Sequence, residues 1–189
     1  MFSTLVLNPL SMPKRPAPQL RSRLARVRLF LCDVDGVLTD GAVWMGRGTE
    51  TKRFNIRDGL GLKFLQRHGI KVGWVSRRPS GATRARARNL KIDFLMQQDT
   101  GKVAVVESLL KQTGFGWAEV CYVGDDIVDV AVLKRAGVAV AVADAVAEAR
   151  AAADYVTKTA GGHGAVREAA ELILKAQNKW NRVISEYAG

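Results

Sequence analysis

Two aspartates separated by one residue, Asp33 and Asp35, follow the apolar run Leu29-Phe30-Leu31-Cys32. An extended backbone turns alternate side chains to the same side, so both carboxylates converge on one small volume where such a strand ends. Held that close, they repel each other and need a cation, a shared proton or both. Gly36 then lets the chain leave the strand sharply. Other polar residues occupy the same kind of position. Ser76, with Arg77 and Arg78, follows the apolar stretch 71–75, and Asp125, with Asp126, follows 119–123; Lys102 opens a helical stretch after a further strand. Three carboxylates offering only oxygen suit Mg²⁺, and a hydroxyl with an ammonium group suits a phosphate. Phosphoryl transfer through an aspartyl-phosphate uses all of these groups. One Asp attacks, the metal neutralises charge, Lys and Ser hold the phosphoryl oxygens, and the second Asp transfers protons.

The elements that must position these groups follow from apolar period and turn residues. Strands are expected near 29–32, 71–75, 92–96, 119–123, 138–142 and 154–156, alternating with helices near 58–67, 80–89, 101–112, 127–135 and 146–152, and a long helix from Ala165 to about Ser185 closes the chain. Asp58 is expected to cap the first of these helices. Residues 42–45 and 49–54 flank Gly46-Arg47-Gly48 as a hairpin. Alternating strands and helices predict an α/β fold with a doubly wound parallel sheet, whose ligands lie outside the carboxyl ends of the strands. The predicted organisation is a basic, flexible leader over 1–27, one domain over 28–176, and a C-terminal helix end and tail over 177–189.

The net charge of +11 is unevenly placed. Lys14, Arg15, Arg21, Arg23, Arg26 and Arg28 all precede Asp33, the first acidic residue. Met12 is an alternative start. The remaining charge is dispersed, which suits attraction of an anionic small substrate. No face interleaves aromatics with cations, so no nucleic-acid partner is expected. No apolar run approaches the ~20 residues of a membrane span, and no membrane partner is expected. Cys32 and Cys121 lie in core strands and suit a reducing cytoplasm.

The order D-V-D-G-V-L-T-D, Ser76, Lys102, G-D-D-I-V-D resembles the four motifs of the haloacid dehalogenase superfamily of phosphatases. That resemblance implies Asp33 as nucleophile, Asp35 as acid–base group, and Ser76 and Lys102 as phosphate ligands. Mg²⁺ would be held by Asp33, Asp125 and the main-chain carbonyl of Asp35, with Asp126 acting through water and Asp129 structural. About forty residues separate Asp35 from Ser76 and twenty-two lie between Lys102 and Asp125, too few for a cap domain. With G-T-E-T-K-R-F, D-G-L-G-L-K-F-L, V-A-D-A and G-G-H-G-A-V-R-E added, the chain resembles the capless 3-deoxy-D-manno-octulosonate 8-phosphate (Kdo 8-phosphate) phosphatases. The resemblance implies a Rossmann-like core and a cytoplasmic enzyme of lipopolysaccharide precursor synthesis. It also implies a homotetramer in which the hairpin and the segment 161–168 of a neighbour cover the site.

A phosphorylated keto sugar acid is the implied substrate, with Arg78, Lys52 and Arg167 as substrate contacts; Arg167 has a competing role as an ion pair with Glu171. Arg53 and His163 are further possible contacts, and Trp44 is expected in a subunit interface. Arg77 stands where the family has glycine at a tight turn, which predicts a conformational cost. Arg78 stands where 2-keto-3-deoxynonulosonate (KDN) 9-phosphate phosphatases tend to carry Glu, and so favours Kdo 8-phosphate. A receiver-type phosphoacceptor domain fits less well, because its acidic pair precedes a separate phosphorylated Asp, whereas here D-x-D comes first and G-D-D last.

Overall fold

The computed structural model describes residues 18–188. Strand β1 (Leu29–Cys32) lies in the middle of a six-stranded parallel sheet. β4 (Lys71–Ser76) and β5 (Phe94–Gln97) extend the sheet on one side of it, and β6 (Val120–Gly124), β7 (Val138–Ala141) and β8 (Tyr155–Val156) on the other. β1 is buried along its whole length because helices cover both faces of the sheet. This explains its continuous apolar run, where a half-exposed strand would alternate. In register, Cys32 lies opposite Trp74 of β4 and Val123 of β6, so β1, β4 and β6 end side by side. The chain reverses its direction of travel across the sheet at β1, and such a switch point leaves a crevice at the strand ends.

β2 (Trp44–Gly46) and β3 (Thr49–Thr51) form the expected antiparallel hairpin, a separate two-stranded sheet with Trp44 and Met45 both more than two-thirds exposed. No separate cap domain occurs among the described residues. α2 (Ile56–Arg67) begins at Asn55, whose side chain accepts from the Arg57 N–H; Asp58 does not cap it. Asp58 is buried and accepts from the N–H of Arg167 at 2.7 Å, so it caps α7 (Ala165–Ala176) across the α2–α7 contact. Gly61 permits that contact, since a Cβ there would sit 3.1 Å from the Arg167 backbone. α3 (Gly81–Leu90) and α4 (Lys102–Thr113) follow β4 and β5; α5 (Ile127–Leu133) and α6 (Ala147–Ala151) follow β6 and β7.

Two stretches differ from the sequence expectation. From Pro18 the basic leader forms a helix, α1 (Pro18–Ala25): Leu24 is buried in the core, and Arg23 donates to the Gly137 carbonyl and to both oxygens of Asp154. Residues 1–17, with Met12, Lys14 and Arg15, lie outside the described residues. The single closing helix is two, α7 and α8 (Trp180–Ala188), broken where Asn178 takes φ +56°. Apolar periodicity runs through this corner because both helices bury one face, and one left-handed residue suffices to turn the chain. Arg77 costs nothing of the kind: Lys91 and Asn178 are the only non-glycine residues with positive φ among those described. No described helix is long and apolar enough to cross a membrane.

Candidate active site

Asp33 is the first residue beyond β1, and its N–H continues the ladder by donating to the Val123 carbonyl at 3.0 Å. That bond fixes the carboxylate at the sheet end. Its Oδ1 accepts from the Val34 N–H at 2.6 Å and its Oδ2 from Lys102 Nζ at 2.5 Å. Lys102 is the first residue of α4 and is nearly fully buried. Its ammonium also donates to Asp129 Oδ1 at 2.6 Å, so one cation holds two buried carboxylates. Burial pushes Asp33 up to about 6 against the opposing pull of Lys102.

Asp129, on the first turn of α5, is wholly buried. Its Oδ1 receives Lys102 and the Tyr122 hydroxyl, at 2.6 Å each, and its Oδ2 receives the N–H groups of Asp125 (3.1 Å) and Asp126 (3.3 Å). These four donors occupy its acceptor sites, which makes Asp129 the anchor that orients the Gly124-Asp125-Asp126 loop. Asp126 caps α5, its side chain accepting from the Ile127 N–H at 2.6 Å.

Asp125 is arranged differently. Its Oδ1 is buried without a hydrogen-bond partner. Its Oδ2 lies against the bare backbone of Gly36, where a Cβ would come within 2.0 Å and φ is +87°. Carboxylate oxygens of Asp33, Asp125 and Asp129 all lie within 4.8 Å of one another. Burial, then Asp129 and Asp33, push Asp125 up to about 8. An orphaned oxygen in a cluster of hard donors fits a divalent cation with oxygen preference. Asp33 and Asp125 are the residues that would hold it, since the oxygens of Asp129 are already engaged.

This predicts a measurable pH dependence. A carboxyl whose folded pKa is raised stabilises the fold fully below its unfolded value near 4 and loses that contribution as pH rises through the folded value. The metal-free protein should therefore lose stability between pH 4 and about 8, the value to which Asp125 is raised. Asp125→Asn should flatten that slope and raise the metal-free Tm at pH 7.5 by several degrees, on the order of 2 kcal/mol. Mg²⁺ should raise the Tm of the wild type, and the same variant should abolish that increase. A Tm unchanged in both respects by thermal melts would rule out this account of Asp125.

The remaining groups face the aspartates from the hairpin and from the loop after β4. Lys52 is buried, with Nζ 2.6 Å from Asp35 Oδ1 and donating to Asp35 Oδ2 at 2.9 Å. Arg78 donates through Nη2 to Glu50 Oε2 at 2.6 Å and keeps about two-fifths of its side chain exposed. Ser76, the last residue of β4, accepts from the Arg78 N–H at 3.1 Å and donates to its carbonyl at 3.2 Å. Gly161 and Gly162 press on the loop after β1, since a Cβ on either would overlap the backbone of Gly36 or Thr39.

Comparison with known proteins gives the family. Residues 82–168 match the family model for haloacid dehalogenase-like hydrolases. The 3-deoxy-D-manno-octulosonate 8-phosphate phosphatase KdsC of Salmonella typhimurium is 40% identical over 164 residues, 86% of this chain and 87% of that one. This chain belongs to the Kdo 8-phosphate phosphatase family. It is therefore a phosphoric monoester hydrolase of haloacid dehalogenase type. The Moraxella catarrhalis phosphatase of that name, determined with magnesium, phosphate and Kdo, superposes with a TM-score of 0.87 at 37% identity, covering 89% of this chain and 98% of that one. The Yersinia pestis phosphatase gives 0.85 at 41% identity, covering 87% and 89%.

Within this Kdo 8-phosphate phosphatase fold, Asp33, Asp35, Ser76, Lys102 and Asp125 converge at the ends of β1, β4 and β6 and the start of α4. Lys52, buried beside Asp35, and Arg78, partly exposed at the rim, are already paired with Asp35 and Glu50. Arg167 does not join them. Its Nε bonds Glu171 Oε1 at 2.9 Å, and its guanidinium lies over the rings of Phe64 (4.9 Å) and Trp180 (5.4 Å). Arg53 bridges Asp40 and the His163 ring at 2.8 and 2.9 Å. Sequence reasoning gave Glu50 and Thr83 no role. Glu50 binds Arg78 and Ser80, and Thr83 receives Lys52 at 3.2 Å. The available signal was an acidic residue two positions from Lys52 on a strand, hence on the same face.

Proposed function

We propose that this chain is an Mg²⁺-dependent phosphatase that hydrolyses Kdo 8-phosphate to Kdo and phosphate through an aspartyl-phosphate on Asp33, in the cytoplasm. The observation that carries the reading is the buried Asp33–Lys102–Asp129 chain beside the unpartnered oxygen of Asp125. It gives one carboxylate held for attack, one cation beside it for phosphoryl oxygens, and an uncommitted oxygen for a metal. Mg²⁺, when bound by Asp33 and Asp125, supplies positive charge against the phosphoryl group. Asp33 attacks phosphorus, Lys102 and the Ser76 hydroxyl hold phosphoryl oxygens, and Asp35 gives a proton to the leaving sugar oxygen. Asp35 then takes a proton from the water that cleaves the acyl phosphate. Arg78, partly exposed at the rim, suits the carboxylate of a keto sugar acid.

The hairpin supports a covered site in an assembly. Trp44 and Met45 expose large apolar area along β2, as expected of a segment that meets a neighbouring subunit of a homotetramer. Arg167 of that neighbour is the remaining candidate substrate contact.

A phosphate-release screen with Mg²⁺ over Kdo 8-phosphate, KDN 9-phosphate and neutral sugar phosphates tests the substrate. Kdo 8-phosphate is expected to lead in kcat/KM by at least about tenfold, the value of one well-placed charge-assisted contact. Chelation should remove the activity and Mg²⁺ restore it. A neutral sugar phosphate as the best substrate would overturn the assignment.

A further inference from the structure

We propose that Lys52 is a positioning residue for proton transfer, holding the Asp35 carboxyl where it meets the leaving oxygen, and is not a substrate contact. The proposal rests on the reading of Asp35 as the acid–base group. The Lys52 side chain has no solvent exposure, although it follows an exposed hairpin. A lysine kept for solubility would extend its ammonium into water, and burying one is costly unless it is paired and hydrogen-bonded. Here the cost is offset by a specific set of partners. Nζ lies 2.6 Å from one oxygen of Asp35 and donates to the other at 2.9 Å; it donates to Thr83 Oγ1 at 3.2 Å, and Glu50 Oε1 is 3.8 Å away.

Those partners come from three directions: the D-x-D loop, α3 and the hairpin. Enclosed among them, the ammonium has no open face for a sugar carboxylate. Asp35, by contrast, keeps about a quarter of its side chain exposed. The carboxyl is thus held by a buried cation, with Oδ1 buried beside it, while part of the side chain stays accessible. Thr83 is held in turn, its N–H donating to Ser80 Oγ at 3.1 Å at the start of α3. Ser80 also donates to Glu50, and Glu50 accepts from Arg78. The grip on Asp35 is therefore tied to the loop that carries Arg78.

First-turnover rates of the full-length, Mg²⁺-supplemented protein on two esters separate this role from its alternatives. Kdo 8-phosphate expels an alkoxide that needs a proton, whereas p-nitrophenyl phosphate expels a phenolate that does not. Lys52→Met is expected to slow the first turnover of Kdo 8-phosphate by about 10²-fold, the usual scale of a positioned proton donor. KM should stay within about threefold, and so should the p-nitrophenolate burst. A raised KM with unchanged turnover would mean that Lys52 binds substrate; equal losses on both esters would mean that it only holds the hairpin. Either result overturns the proposal.

Lys52→Met leaves Asp35 without its cation and can fail to fold, so the double variant Asp35→Asn with Lys52→Met, which removes both charges, decides the matter independently. If Lys52 acts through Asp35, the double variant is no slower on Kdo 8-phosphate than Asp35→Asn alone. A further loss of tenfold or more would refute the positioning role. Undiminished first turnover in Asp35→Asn itself would instead remove the acid–base reading beneath it.

Discussion

Asp33→Asn is expected to fold normally and to lose phosphate release by at least about 10⁴-fold, the scale seen when a nucleophile is removed from a site that otherwise still binds. Asparagine keeps the shape and the hydrogen bond from the Val34 N–H, but it has no carboxylate to form the acyl phosphate. Stability should not suffer. Burial already pushes Asp33 up to about 6, so its ionised form is costly in the fold despite Lys102. The measurements are phosphate release under Mg²⁺ and thermal melting of the same sample. Activity within tenfold of wild type would exclude Asp33 as nucleophile, while an unfolded variant would mean that the Asp33–Lys102 pair is chiefly structural.

Lys102→Met should be the most destabilising single change in the site. Its ammonium is shared by Asp33 and Asp129, both buried, and a carboxylate oxygen of Asp125 lies within 4.8 Å of theirs. Without it, three carboxylates face one another in a volume from which water is largely excluded. Removing one partner of a buried ion pair costs about 3–5 kcal/mol, and for a chain of this length that is about ten degrees or more in Tm. The cost lies in the charge left behind, so Lys102→Met with Asp129→Asn should recover part of the stability. Activity should remain lost in both, because phosphoryl oxygens would have no cation from α4. A Tm change below two degrees in Lys102→Met, measured without metal at pH 7.5, would refute the shared-cation account.

Much of this site was legible because its parts occupy positions that a local pattern marks. Asp33, Ser76 and Asp125 each follow a short apolar run, and a parallel sheet brings the ends of such runs together whatever lies between them. Lys102 could be found because it opens a helix directly after a strand. The pairings made by these groups were not legible in the same way. Asp58 looks like a cap for α2 because it stands at the start of that helix; it caps α7, more than a hundred residues later. Lys52 and Arg78 look like substrate contacts, since cations near a phosphate site suggest anion binding, yet each has a carboxylate partner from another segment. The helix at Pro18–Ala25 was hidden by the basic residues around it, and what fixes it is Leu24 in the core and Arg23 on Asp154. Periodicity reports which face of an element is buried, and it carries no information about which charge meets which across the fold.

The contact between Gly36, Asp125 and Gly161 bears on how such an enzyme could be redesigned. The floor of the site is naked main chain: a methyl group on Gly36 would overlap an oxygen of Asp125, and one on Gly161 would overlap the carbonyl of Gly36. No side chain can be introduced there without moving the reacting groups, so the floor is closed to variation. The rim is built from side chains belonging to the hairpin and the β4–α3 loop. Selection for a new phosphate ester should therefore yield changes around Arg78, Glu50 and Arg53 and leave the glycines untouched. Reactivity and substrate choice are thus separable in this scaffold, one written in backbone and the other in exchangeable side chains.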